Sequence, residues 1–257
     1  VAYLGDYKAL RRTIFGQKMY IDTRDLIVAP NLLLDGYWEI WVTKAIRREL
    51  KQGMNVVEIG SNIGYYSLII ASRIGPSGKL FAFEANPDTF KILRDNIDMN
   101  GFSSMVKLEK KAVIDRTGMV NFTKLSRHGA ASSVLEFPKS AEADIIEVKA
   151  TSLDEYFKNS EIKIDIMKID AEGSEPHIFE GMKKLIHNNP DLTIICEFNP
   201  PLLSYTMDPS KFLEKLQSDG FILKYIDTDS IPKEASIDKL AKMGVIDLYL
   251  RRTNVSR

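Results

Sequence analysis

The chain has 257 residues and a single cysteine, Cys196, so no disulfide can close within it and no cysteine-built zinc site can form. Cys196 sits in an apolar run and reads as a buried thiol. So little cysteine suits a reducing compartment, and a cytoplasmic location is expected. No apolar run approaches the ~20 residues of a membrane span, and no signal-peptide pattern opens the chain. The first residue is Val1 rather than Met, as expected of a processed chain or of one domain cut from a larger polypeptide. Net charge is also lacking: 35 Lys and Arg balance 35 Asp and Glu. Nothing in that balance draws the chain toward nucleic acid or an anionic surface, and no nucleic-acid partner is expected. There is no internal repeat and no low-complexity tract.

One motif is absent in an informative way. The run Val56-Val57-Glu58-Ile59-Gly60-Ser61-Asn62-Ile63-Gly64-Tyr65 reads as strand, glycine turn and helix, but lacks the G-x-G-x-x-G of a dinucleotide fingerprint. A nicotinamide-dependent oxidoreductase is therefore the weaker alternative. The glycines still leave the backbone bare ahead of a helix N-terminus, where free N–H groups can meet a ligand. The next strand, Leu80 to Phe83, ends in Glu84 at the distance where an acidic residue takes ribose hydroxyls. Turn and carboxylate together point to a nucleoside-bearing ligand without a pyrophosphate, with S-adenosylmethionine as the leading candidate.

Strand and helix patterns alternate along the chain, predicting a doubly wound, mostly parallel α/β sheet. Main strands are expected at 56–59, 80–83, 106–108, 164–169, 192–196 and 221–226. The last, 245–250, is expected to pair antiparallel at the sheet edge. Lys18 to Asp22 and Leu26 to Val28 read as short strands of an N-terminal cap over residues 1–40, closed by Pro30. The main domain runs from 41 to 257. Asp35 is a candidate cap for the helix through Ile40 and Leu50. Asn86-Pro87-Asp88 carries an N-cap, a first-turn proline and a favourable charge for the next helix. The polar stretch from Ser126 to Asp144 reads as an insertion that shapes an acceptor pocket.

In open α/β sheets ligands bind beyond the carboxyl ends of the strands. Gly60, Glu84, Ala112, Asp170 and Glu197 stand at those ends. Asp170, Glu172 and Glu197 are the candidate bases for a proton-removing step. His128 and His177 are lesser candidates. Asp170, Glu197 and Asn199 offer the oxygen donors that Mg²⁺ would use.

Three segments carry a family resemblance: Val57 to Ser67, Phe83-Glu84-Ala85-Asn86-Pro87, and Lys168-Ile169-Asp170-Ala171-Glu172-Gly173-Ser174-Glu175 with Gly181. Together with Gly36-Tyr37-Trp38-Glu39 they resemble the FkbM family of S-adenosylmethionine-dependent methyltransferases. Glu58 departs from the aspartate more usual there. The resemblance implies a seven-stranded, Rossmann-like class I methyltransferase fold and O-methylation of a hydroxyl on a sugar, glycan or glycolipid, or on a natural-product scaffold. It implies that Gly60, Ser61, Asn62, Gly64 and Tyr65 surround the methionine part, with Tyr37, Glu39, Glu58 and Asp170 nearby. Glu84 and Ala85 would flank the ribose, and Lys111 and Ala112 the adenine.

Overall fold

The computed structural model describes residues 1–125, 132–134 and 143–252. The chain opens with an antiparallel sheet of β1 (Ala2–Gly5), β2 (Lys8–Arg12) and β3 (Lys18–Asp22). The second strand expected in this region is absent. Leu26 and Ile27 lead into α1 (Val28–Leu34), because the Asp25 carboxylate accepts the N–H groups of Ile27, Val28 and Ala29. Pro30 falls in the first turn of that helix, where its missing N–H costs nothing. Asp35 ends α1 and does not cap α2 (Ile40–Glu49); Glu39 stands at the N-cap of α2 in a left-handed conformation. Met19, Ile21, Val28 and Leu32 bury into the same core as α2, so residues 1–40 share the main domain's hydrophobic cluster.

The βα series follows: β4 (Asn55–Ile59), α3 (Tyr65–Ile74), β5 (Lys79–Phe83), α4 (Pro87–Met99) and β6 (Val106–Glu109). Asn86 caps α4 through the Asp88 N–H, as its sequence indicates. Next, β7 (Ala112–Val113), β8 (Gly118–Leu125) and β9 (Ala143–Thr151) make a separate three-stranded sheet around the buried Ile114, Val120 and Phe122. The chain then forms α5 (Leu153–Tyr156), β10 (Ile166–Ile169), α6 (Glu175–Glu180), α7 (Lys183–Asn188) and β11 (Thr193–Phe198). Last come α8 (Pro200–Leu203), α9 (Pro209–Ser218), β12 (Phe221–Ile226), β13 (Pro232–Glu234), α10 (Ile237–Leu240) and β14 (Ile246–Arg252).

The main sheet runs in the order β13-β12-β14-β11-β10-β4-β5-β6. β6, β5, β4, β10 and β11 are mutually parallel. They are mostly apolar because helices cover both faces, with Glu58 and Lys168 as buried charged exceptions. The sheet has eight strands, one more than the seven expected. The antiparallel β14 is not at the edge: it lies between β11 and β12 and pairs with both. The edge strand is β13, three residues in a stretch that reads as loop. Its proline, tolerated only on an edge, and its polar residues leave little strand signal in sequence. Order reverses between β4 and β10, and the carboxyl ends of both open into the same cavity. Among the described residues, no helix is long and apolar enough to cross a membrane.

Candidate active site

The glycine turn is built as much for packing as for ligand access. Gly60 leaves β4 at φ +78°, and a Cβ placed there would lie 1.8 Å from the Asp170 carbonyl oxygen. Only glycine lets the β4 turn and the β10 end meet so closely. Asn62 is also left-handed, at φ +49°. The Asn62 N–H donates to Glu84 Oε2 at 2.8 Å and the Asn86 N–H to Oε1 at 2.7 Å. Glu84 therefore ties the turn to the start of α4 and still faces the cavity with its remaining lone pairs. Burial, only partly offset by these N–H groups, pushes its carboxyl up to about 7.

The second loop, after β10, holds two successive left-handed residues, Glu172 at φ +51° and Gly173 at φ +88°. It is pinned from three sides. The Ser133 hydroxyl donates to the Glu172 carbonyl at 3.0 Å and the Thr206 hydroxyl to the Gly173 carbonyl at 2.9 Å. The Ala171 N–H donates to Glu175 Oε1 at 3.1 Å. This pinning turns the Glu172 side chain to the cavity at the cost of backbone strain. Burial first, then the Asp170 and Glu175 charges, push the Glu172 carboxyl up to about 9. Burial and the same group of acids hold Glu197 well above the carboxylate range. Its Oε2 is buried and has no hydrogen-bond partner.

Beneath these acids lies a lysine. Lys168 is 2% exposed, its Nζ 2.8 Å from Asp170 Oδ2 and 4.5 Å above the Tyr66 ring. Burial opposes its charge, but Asp170, Glu39 and Asp247 outweigh that and raise its pKa. The Tyr66 hydroxyl donates to Glu39 at 2.9 Å. Asp247 enters from β14, in register with Glu197, and burial lifts its carboxyl well above the usual range. One cation thus serves several carboxyls.

A cavity of about 560 Å³ joins the two loops. Of the residues expected around it, Glu39, Gly60, Ser61, Asn62, Tyr65, Glu84, Ala85, Lys111, Ala112, Asp170, Glu172 and Glu197 line its wall. Tyr37, Glu58 and Gly64 do not. Tyr37 packs against the core, and Trp38 takes the wall position. Glu58 is 1% exposed and accepts the Ser67 hydroxyl inside the fold. Gly64 starts α3 against Leu93. His128 lies outside the described residues. His177 does not line this wall and contacts Asp115 at 3.2 Å. The oxygens that gather are those of Asp170, Glu172 and Glu197, within 4.8 Å of one another. Asn199 also lines the wall, and its Oδ1 accepts the Leu202 N–H and caps α8.

Sequence reasoning misses Lys168 and Asp247 as site residues, along with the apolar Ile27, Val28 and Phe122 of the wall. A lysine inside an otherwise apolar strand is the available signal, since lysine is almost never fully buried without a partner.

The architecture is shared with solved structures. A putative rRNA methylase from Clostridium thermocellum superimposes with TM-score 0.51 at 11% identity, over 82% of this chain and 93% of that one. A TehB-like S-adenosylmethionine-dependent methyltransferase from Corynebacterium glutamicum gives 0.50 at 10%, over 88% and 94%. At such identities the likeness concerns the fold. In sequence, the chain is 24% identical over 201 residues to the hexuronic acid methyltransferase AglP of Haloferax volcanii, covering 73% of this chain and 78% of that one. It is 24% identical over 156 residues to the methyltransferase sdnD of Sordaria araneosa, covering 49% and 60%. The methyltransferase FkbM domain matches residues 58–223, which contain both loops of the cavity and all three of its clustered carboxyls. The chain belongs to the FkbM methyltransferase family.

Proposed function

We propose that this protein is an S-adenosylmethionine-dependent O-methyltransferase acting on a hydroxyl of a sugar or glycoconjugate. The observation that carries the reading is one cavity with two unlike halves. Over β4–β6 it offers a bare glycine turn tied to Glu84, and over β10–β11 a wall of carboxyls, with Asp170 between them. The volume falls in the ordinary range of ligand pockets, ~300–1,000 Å³.

The residues present fit the methyl donor that the family implies. S-adenosylmethionine supplies an activated methyl on a cationic sulfur, and asks of the protein a held cation, an aligned hydroxyl and a sink for that hydroxyl's proton. The lone pairs left on Glu84 suit ribose hydroxyls. The carboxyls of Asp170, Glu39 and Glu172 suit a cation, which Lys168 alone does not neutralise. Glu172 is the assigned base. Its carboxyl, at about 9 with no ligand bound, is drawn toward neutrality by a neighbouring positive charge, the range in which a general base works best. Glu172 would take the acceptor hydroxyl's proton as that oxygen receives the methyl group that S-adenosylmethionine, released as S-adenosylhomocysteine, would supply. Asp170, fixed by Lys168, positions the reacting hydroxyl.

The sugar acceptor rests on the Haloferax volcanii relative, whose name states a hexuronic acid. A panel of glycosides incubated with the cofactor and followed by mass spectrometry tests the reading. Glu172→Gln is expected to lower turnover at least ~100-fold, the usual span of a lost general base, with cofactor uptake by calorimetry retained. Absence of cofactor uptake by the wild-type protein would sink the proposal.

A further inference from the structure

Residues Ala171 to Ser174 make a turn whose shape does not suit one of its residues. The Ser174 N–H donates to the Ala171 carbonyl at 3.1 Å, and both central residues, Glu172 and Gly173, have positive φ. That is the sign pattern of a type I′ turn, whose first central place favours asparagine, aspartate or glycine. A glutamate left to itself there relaxes to negative φ, which re-aims its carboxyl. Such a conformation persists only where its surroundings fix it.

Ser133 supplies the fixing contact. It is 2% exposed and bridges to β8, where it and Thr123 exchange N–H to carbonyl bonds of 2.7 and 3.1 Å. Its hydroxyl hydrogen goes to the Glu172 carbonyl at 3.0 Å, so in the 3.3 Å contact with Ser174 the Ser174 hydroxyl donates and Ser133 Oγ accepts. One side chain thus grips the turn on both sides of Gly173. The neighbouring Ser132 and Val134 line the same cavity. Thr206 holds the Gly173 carbonyl less firmly, because its single hydroxyl hydrogen is divided between that carbonyl and the Leu203 carbonyl, both at 2.9 Å.

We propose that Ser133 is a positioning residue for the transfer: anchored on β8, it keeps Glu172 left-handed and so aims the carboxyl at the acceptor hydroxyl. This rests on the methyltransferase reading above, with Glu172 as its base, and deepens it.

The test uses the full chain, S-adenosylmethionine and methyl glucoside or methyl glucuronide, whichever turns over. Ser133→Ala is expected to lower kcat ~30-fold, in the range that displacing a reacting group costs, with KM for the cofactor within about threefold. The stoichiometry of calorimetric cofactor uptake counts folded sites, so a loss of folded protein is not mistaken for a loss of kcat. Ser133→Thr keeps the hydroxyl in a strand-like bridge and should hold kcat within about threefold of wild type. In a Glu172→Gln background Ser133→Ala should change kcat less than about threefold, since no base remains to be aimed. A merely structural role would impose its full loss there too. If the alanine variant does not fold, Ser133→Cys, of similar size and with a weak donor, takes its place under the same expectations.

If neither glycoside turns over, a crystal structure of the Ser133 variant decides, with Glu172 expected at negative φ and its carboxyl withdrawn from Asp170 and Glu197. Wild-type kcat in Ser133→Ala, additive losses in the double variant, parallel loss of cofactor uptake, or an unchanged Glu172 conformer overturns the inference. An unaffected Glu172→Gln single variant sinks the base assignment instead, and absence of cofactor uptake by the wild-type protein sinks the function on which both rest.

Discussion

Lys168 Nζ stands 2.8 Å from Asp170 Oδ2, two residues along the same strand end, and the pair is sealed from below by the Tyr66 ring. It is the central ion pair of the site. Asp170 is shared between the cavity and the lysine, while Glu39 and Asp247 lean on the same cation from α2 and β14.

Removing that cation leaves several buried carboxyls uncompensated. Lys168→Met is expected to cost about 3–5 kcal/mol of stability, the usual penalty for breaking a buried pair from one side. Chemical denaturation measures it. A change below about 1 kcal/mol would show that the carboxyls relax by other means.

The empty site is expected to prefer acid. Burial is the first cause that pushes Glu58, Glu84 and Glu175 up to about 7 and Glu172 up to about 9. Each value exceeds the ~4.3 of an unfolded glutamate, so the folded state holds these protons more tightly. Their contribution is complete below pH ~4.3 and is lost as pH rises through 7 to 9. The thermal midpoint of the ligand-free protein should fall between pH 6 and 9, and saturating S-adenosylmethionine should restore part of it. A midpoint that rises over this interval would contradict the assignment.

Two glycine substitutions separate packing from backbone strain. Gly60→Ala drives a methyl into the Asp170 carbonyl at φ +78°, and loss of the folded state or of more than about 3 kcal/mol is expected. Gly75→Ala, at φ +65° and ψ −176° with nothing within 4 Å, should cost about 1–3 kcal/mol through backbone strain alone. Similar costs for the two, measured by denaturation, would mean that the β4 turn can move away from β10.

Glu84 has a structural and a binding duty, and two variants distinguish them. Glu84→Ala abandons the N–H groups of Asn62 and Asn86 and should lower stability by about 1–3 kcal/mol as well as cofactor uptake. Glu84→Gln keeps one acceptor oxygen, so stability should recover further than uptake. Calorimetry and denaturation on both proteins check this. Uptake equal to wild type in Glu84→Ala would remove Glu84 from the cofactor site.

Much of the cavity is legible in the amino-acid sequence. The alternation of apolar runs with helical spacing marks each parallel strand, and ligands gather where such strands end. Gly60, Glu84, Asp170 and Glu197 are therefore visible one at a time. The capping signals differ in strength. Asn86 stands out because Pro87 and a long periodic helix follow it. Asp25 does not, since α1 is only seven residues and its first apolar residues resemble a strand.

Local pattern determined which residues sit at strand ends, because strand and helix periodicities are properties of neighbours in sequence. Tertiary structure decided what those ends do to one another. It inserted β14 between β11 and β12 and so brought Asp247 beneath the wall. It buried Glu58 away from the cavity although it lies only two residues from Gly60. It also set one lysine among carboxyls drawn from α2, β10 and β14. Electrostatic coupling depends on distance through space and on exclusion of water, and neither is written in the order of residues along the chain.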